Sequence, residues 1–256
     1  MGLSLLAAMF LFATGILGGA MNAVAGGGTF FVFPALLFTG LPPVPANATN
    51  TVALWPGLAA GVRAFWPRLK VAWRLLIPLV AISLAGGVAG ALLLIRTPAH
   101  IFMRLVPWLM LGATALFAFG GRMGRGTALR AAHELTAGKI VMATLFELVV
   151  SVYGGYFGGG IGILILALLG ALGMNDIHEM NALKIVLTTL INGIAVVTFI
   201  AARAVYWPQA LVILAGAMLG GYFSAHYSQR LPAAWIRAFV LLVGAGMTAY
   251  FFLRGH

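Results

Sequence analysis

Eight stretches of roughly twenty residues, each nearly free of charge, constrain this chain more than any other feature. They run Leu3–Met21, Asn47–Phe65, Leu75–Ile95, Ile101–Phe119, Lys139–Phe157, Asn181–Ala202, Pro208–Tyr227 and Ala234–Leu253. About twenty apolar residues in a helix cross the ~30 Å hydrocarbon core of a bilayer. The composition leaves little room for a soluble fold: 62% of the residues are hydrophobic and only 7% are charged, where a soluble domain is about 25% charged. Two further apolar runs, Thr29–Thr39 and Ile161–Leu172, are too short to cross and each follows a glycine triplet. Runs of that length read as re-entrant half-helices. The expected fold is therefore an all-α integral membrane protein with eight transmembrane helices and two re-entrant half-helices.

Charge then sets the topology. The net charge of +11 would suggest a nucleic-acid partner in a soluble protein, but here the basic residues sit between apolar runs, so no nucleic acid is expected. With eight spans, ten basic residues fall on one side: Arg63, Arg68, Lys70, Arg74, Arg122, Arg125, Arg130, Lys139, Arg203 and Arg254. Four fall on the other: Arg96, Arg104, Arg230 and Arg237. The excess of Lys and Arg on cytoplasmic loops predicts a bacterial inner-membrane protein with both termini in the cytoplasm. Ala23-Val24-Ala25 resembles a signal-cleavage site, but no basic segment precedes the apolar run, so the first stretch is read as a span.

The chain repeats itself. Gly26-Gly27-Gly28 reappears as Gly158-Gly159-Gly160, and Asn47-Ala48 as Asn181-Ala182. Gly86-Gly87 recurs as Gly220-Gly221, and Arg96-x-Pro98 as Arg230-x-Pro232. This order predicts two tandem four-span repeats, residues 1–121 and 139–256, joined by a basic cytoplasmic linker over 122–138. Four crossings per copy would relate the copies by an axis along the membrane normal. A half-helix that spanned fully would make the count odd and the copies inverted.

The triplets suggest a binding site. Irregular backbone at membrane depth is tolerated inside protein or beside a water-filled cavity, and the N–H groups and dipole at a helix N-terminus favour an anion. Gly26, Gly27, Gly28, Gly158, Gly159 and Gly160 are therefore candidate substrate-binding positions, while Gly18-Gly19, Gly86-Gly87 and Gly220-Gly221 read as close helix packing. Behind the second half-helix, Asn181, Lys184, Thr188 and Asn192 share one helical face. Asn47, Asn50 and Thr51 open the corresponding face in the first copy, with Asn50 where the second copy has Lys184. Polar residues in a span look inward, so Asn47, Asn50, Thr51, Asn181, Lys184 and Thr188 join the candidate set. Lys184 could equally snorkel to the headgroups or pair with Asp176 or Glu179. Glu147 lies in the middle of a span, and three roles are open to it: proton coupling, counter-ion to Lys184, or a neutral carboxyl bonded between helices.

Other chemistry finds little support. The chain has no cysteine and no phosphate-binding Gly-x-x-x-x-Gly-Lys-Ser/Thr loop. His178 and His226 lack partners at metal-ligand spacing, so neither metal, cofactor nor enzymatic activity is expected.

The stretch Asn22–Gly57, with Gly26-Gly27-Gly28, Pro34, Gly40-Leu41-Pro42 and Asn47-Ala48-Thr49-Asn50, resembles the sulfite exporter TauE/SafE family of membrane permeases. Gly154-Gly155-Tyr156-Phe157-Gly158-Gly159-Gly160-Ile161-Gly162 is similar to that family's second repeat. The resemblance implies two repeats of about four spans and transport of small sulfur-containing anions such as sulfite, sulfoacetate or other organosulfonates. A secondary transporter, and more specifically an exporter, is the leading expectation. A passive anion channel and a proton-coupled uptake permease are the alternatives, and monomer and homodimer are both open.

Overall fold

A computed structural model describes residues 3–25, 27–69, 71–126, 137–174, 176–227 and 233–254. These residues form ten α-helices and no strand. The first five are α1 (Leu5–Ala25), α2 (Thr29–Phe38), α3 (Pro43–Phe65), α4 (Trp73–Arg96) and α5 (Ala99–Gly126). The second five are α6 (Ala137–Tyr156), α7 (Ile161–Ala171), α8 (Ile177–Ala201), α9 (Trp207–Tyr227) and α10 (Ala233–Arg254). Thus eight long helices and two short ones stand where the apolar runs predict them. Among the described residues four segments are long and apolar enough to cross a membrane: Leu5–Asn22, Trp73–Arg96, Ala99–Phe119 and Ile177–Ala201.

Local signals explain the boundaries. Pro43 opens α3, where its missing N–H would have no helical acceptor. Asp176 caps α8, its carboxylate accepting from the N–H groups of His178 and Glu179 at 2.8 and 3.4 Å. Both short helices end in the same way. Gly40 and Gly173 each take φ +85, and the following residues donate back to Leu36 and Leu169 across a Schellman turn.

Small residues set the long-range pairing. Gly15 and Gly19 of α1 lie against Ile213 and Ala217 of α9, while Gly86 and Gly90 of α4 lie against Leu148 and Val152 of α6. Side chains at these positions would drive into the facing backbone. In both pairs residue numbers rise together, so α1 runs parallel to α9 and α4 parallel to α6. The two halves are interlocked rather than separate bodies, since the main partners of α1 and α4 lie in the other half.

The direction of the halves corrects one expectation. Trp55 meets Thr189, Gly61 meets Ile185, and Arg68 meets His178, so α3 and α8 run antiparallel. Trp108 meets Phe252 and Gly244 meets Thr114, so α5 and α10 do too. Helices holding the same place in the two halves therefore oppose each other, and the halves are not related by an axis along the membrane normal. The physical reason is the short helices. Asn22 and Gly18 of α1 face Gly28 and Val32 of α2, so α2 runs back beside α1 and α3 starts at the end where α1 starts. A short helix thus acts as a return leg rather than a dip added to four crossings. Each half runs through five legs, an odd number, so the second half begins in the opposite direction.

This moves some charges. The connection between α3 and α4 lies at the opposite end of the bundle from the start of α1, and α10 ends where α1 starts. Both termini therefore sit at the end away from the 66–72 connection, contrary to the eight-span topology. Most of the expected linker 122–138 lies outside the described residues, but α5 continues to Gly126 and α6 begins at Ala137.

Two apolar cores pack around the two short helices. One surrounds α2 and includes Phe30, Phe33, Phe102, Phe157 and Phe251; the other surrounds α7 and includes Ile161, Ile165, Leu169, Leu76 and Met180.

Candidate functional site

A cavity of about 870 Å³ lies between the halves. Its floor is polar: Thr29 from the start of α2, Asn50 from α3, Gly158 before α7, and Thr188 and Asn192 from α8. Its walls turn apolar toward the end where α3 finishes and α8 begins, with Trp55, Leu214 and Phe117. Phe65 and Asn181 border it at that end, and beyond them Arg68 approaches His178 Nδ1 at 3.2 Å. The other end is filled. Phe33 packs against Phe102, Phe157 and Phe251 with ring centroids 6.0–6.3 Å apart, and Asn47 Nδ2 donates to the Tyr156 carbonyl at 3.0 Å.

Lys184 reaches this space by its position on α8, one turn above Asn181 and one below Thr188. Its Nζ donates to Asn181 Oδ1 at 2.9 Å, and its stem lies over Gly162 in the first turn of α7. An ammonium thus stands beside a helix N-terminus whose first N–H groups lie outside the i→i−4 ladder. The chain turns into α7 through Gly158 and Gly160, at φ +79 and +75, a region that L side chains enter only at a cost. Tyr153 steadies this turn by donating its hydroxyl to the Gly159 carbonyl at 2.6 Å. The approach to α2 is different. Gly28 takes ordinary helical angles, and the N–H groups of Phe30, Phe31 and Val32 bond to the carbonyls of Gly27 and Gly28. The two half-helix N-termini, expected to be equivalent, therefore differ in backbone geometry.

Of the residues singled out from sequence, Asn50, Thr51, Gly158, Gly160, Asn181, Lys184 and Thr188 line the cavity. Gly27, Gly28, Asn47 and Gly159 do not, and Gly26 lies outside the described residues. Gly28 faces the Gly18 carbonyl, and Asn47 is 1% exposed in the closed end. Glu147 is fully buried between α4 and α6, where Ser83 Oγ donates to Oε1 at 2.8 Å and Oε2 has no partner. Glu147 faces Ser83 while Lys184 faces Asn181, so the counter-ion role is removed. Sequence reasoning did not assign Asn22, Thr29 and Trp55, all on the cavity wall. Trp55 Nε1 donates to the Thr189 carbonyl at 3.0 Å. These two positions are separated by the same 134 residues as the repeated Asn-Ala pairs, a signal that could have found it. Among the described residues no group of three or more His, Cys, Asp or Glu gathers as a metal site.

The cavity thus holds the Lys184 ammonium beside a helix N-terminus within a bundle of apolar helices. The sequence profile named Sulfite exporter TauE/SafE matches residues 11–251. The chain belongs to the TauE/SafE family. A probable membrane transporter protein of Haemophilus influenzae is 29% identical over 225 residues, covering 88% of this chain and 85% of that one. Probable membrane transporter protein ORF9 of Sinorhizobium sp is 27% identical over 224 residues, covering 86% and 82%. Probable membrane transporter protein YfcA of Escherichia coli K12 is 27% identical over 212 residues, covering 82% and 76%. No solved structure matches the chain. As a TauE/SafE member, it is a multi-pass membrane transporter.

Proposed function

We propose that the chain is a secondary transporter exporting a small sulfur-containing anion, such as sulfite, sulfoacetate or another organosulfonate, across a bacterial inner membrane. The observation that carries this reading is Lys184, whose ammonium faces the cavity beside the first turn of α7. Asn50, Thr188 and Asn192 add amide and hydroxyl groups to the same floor. Thr188 Oγ1 and Asn50 Oδ1 are buried without a partner, which leaves bonding capacity for a ligand or its water. With the cell interior negative, moving one negative charge outward is favoured by ~2.3 kcal/mol per 100 mV. Export of an anion therefore needs no coupled proton, and Glu147, away from the cavity, is not required as a coupling site. The packed aromatic end favours a carrier over an open pore.

In this reading the eight long helices lie in the membrane, and the two halves are an inverted-topology repeat. Seven basic residues of the described chain then lie at the end holding the α3–α4, α5–α6 and α9–α10 connections, namely Arg63, Arg68, Arg74, Arg122, Arg125, Lys139 and Arg237. The sequence assigns Lys70, Arg130 and Arg230 to the same three connections, which makes ten. Arg96, Arg104, Arg203 and Arg254 lie at the end bearing the termini. The rule that placed the termini inside on an eight-span count places them outside on this one, with the cavity open to the cytoplasm.

Two experiments test these points. Sulfite, sulfoacetate, taurine and thiosulfate are screened against the purified transporter by thermal shift; stabilisation by sulfite or an organosulfonate is expected, and no shift with any of them contradicts the substrate assignment. Ser4→Cys and Pro67→Cys, both at exposed positions, are labelled with an impermeant maleimide in intact cells. Labelling of Ser4→Cys but not Pro67→Cys is expected, and the reverse pattern contradicts the orientation.

A further inference from the structure

We propose that Asn47 and Asn181 are reciprocal latches, each closing one end of the pathway by bonding to the C-terminal carbonyls of the long helix that opens the opposite half. The proposal rests on the transporter reading above. A shift of 134 residues carries Asn47 onto Asn181 and Asn50 onto Lys184; a shift of 132 carries the first glycine triplet onto the second, and Val24 onto Tyr156. The packing obeys the same shifts. Gly155 lies on Gly87, which map to positions 23 and 221, one turn beyond the observed contact of Gly19 with Ala217.

The two asparagines nevertheless do different things. At the closed end Asn47 Nδ2 spans from α3 to the last carbonyl of α6, that of Tyr156, at 3.0 Å. At the open end Asn181 Nδ2 folds back onto its own helix, donating to the Ile177 carbonyl at 2.8 Å, while its Oδ1 accepts from Lys184. The counterpart of Tyr156 for Asn181 is the carbonyl of Val24 in the last turn of α1. Asn22, in that turn, and Asn181 both line the cavity, so the open space lies where the equivalent bond would close it.

A second observation marks Asn47 as one position of a switch. Its Oδ1 is buried without any partner, while the residue is 1% exposed. Buried amides in a fixed clip have their carbonyls paired; this one gives up a bond in the closed position. Exchange of the two conformations between the halves yields the opposite state. Asn181 then reaches α1, and Asn47 turns back to the Pro43 carbonyl, the counterpart of Ile177. Lys184 connects the latch to the substrate, because an anion on Nζ competes with Asn181 Oδ1 and frees that amide to swing.

The absence of cysteine from the sequence makes the test direct. Leu58 and its counterpart Asn192 both line the cavity, so Leu58→Cys reports on the pathway in either state. Its labelling by an impermeant maleimide from the terminus-bearing side reads the population open at that end. Loss of one hydrogen bond shifts a two-state ratio about fivefold. Asn47→Ala is expected to raise this labelling rate about fivefold, and Asn181→Ala to lower it about fivefold. Asn181 is only half-buried, so its variant keeps the test usable where Asn47→Ala fails to fold. Rates unchanged in the folded variants overturn the latch. Sulfite is added as the probe in a second arm. If it leaves wild-type labelling unaltered while the variants still shift in opposite directions, the anion reading fails and the latch stands.

Discussion

Removing the Lys184 ammonium separates an anion site from a merely polar cavity. Lys184→Met keeps an unbranched stem of similar length over Gly162 and deletes the charge and the donor to Asn181. The lost contact to a bound anion is one charge-assisted hydrogen bond, worth about 1.5–3 kcal/mol. That corresponds to a Kd raised about tenfold to 150-fold. Gly162→Ala gives a graded control: its new Cβ would stand 3.3 Å from Lys184 Cδ, so the stem must shift by a few tenths of an ångström. A few-fold weakening is expected from it. Isothermal titration of sulfite into purified protein measures both variants, with thermal melts to show that each is folded. A Kd for Lys184→Met within about threefold of wild type refutes the assignment of the anion to this residue.

Three structural predictions accompany it. Gly160→Ala places a side chain at φ +75 with its Cβ 3.4 Å from Ala113; the ~1–2 kcal/mol of left-handed strain is expected to lower the melting temperature by about 2–8 °C. Gly220→Val drives a side chain into the Ile16 carbonyl of α1, so size-exclusion chromatography is expected to show loss of the folded monodisperse peak. Glu147→Gln keeps an oxygen for Ser83 and is expected to melt close to wild type, while Glu147→Leu strands the Ser83 hydroxyl at a cost of about 1–3 kcal/mol. Neither Glu147 variant is expected to change the sulfite Kd more than about twofold, since Glu147 does not line the cavity.

Helix positions were legible because hydropathy depends on local composition. The run Thr29–Thr39 became α2 at Thr29–Phe38, and Asn47–Phe65 became α3, which begins four residues earlier because Pro43 and Pro45 suit a first turn. Helix direction was not legible. An apolar run of ten residues carries no sign, and whether it dips or returns is decided by Gly18 admitting Val32 beside it. The charge count inherited that error: Arg203 and Arg254 exchanged ends with Arg230 and Arg237, leaving a ten-to-four split that looks the same from either topology. In the site, the stripe Asn181, Lys184, Thr188 and Asn192 could be read because helical spacing places it on one face. The partners of Asn47 and Glu147 could not, since Tyr156 and Ser83 lie 109 and 64 residues away. Likewise a glycine triplet does not disclose its own dihedral angles, so α2 and α7 looked equivalent where, among the described residues, only α7 is entered through left-handed glycines.

Counterflow in proteoliposomes tests the central claim most directly. Vesicles loaded with unlabelled sulfite are diluted into trace radiolabelled sulfite, and the internal label is followed with time. The account predicts a transient accumulation above equilibrium that saturates with internal sulfite and is strongly reduced by Lys184→Met. Flux that rises linearly without overshoot, or overshoot that Lys184→Met leaves intact, contradicts a carrier that binds its anion at Lys184.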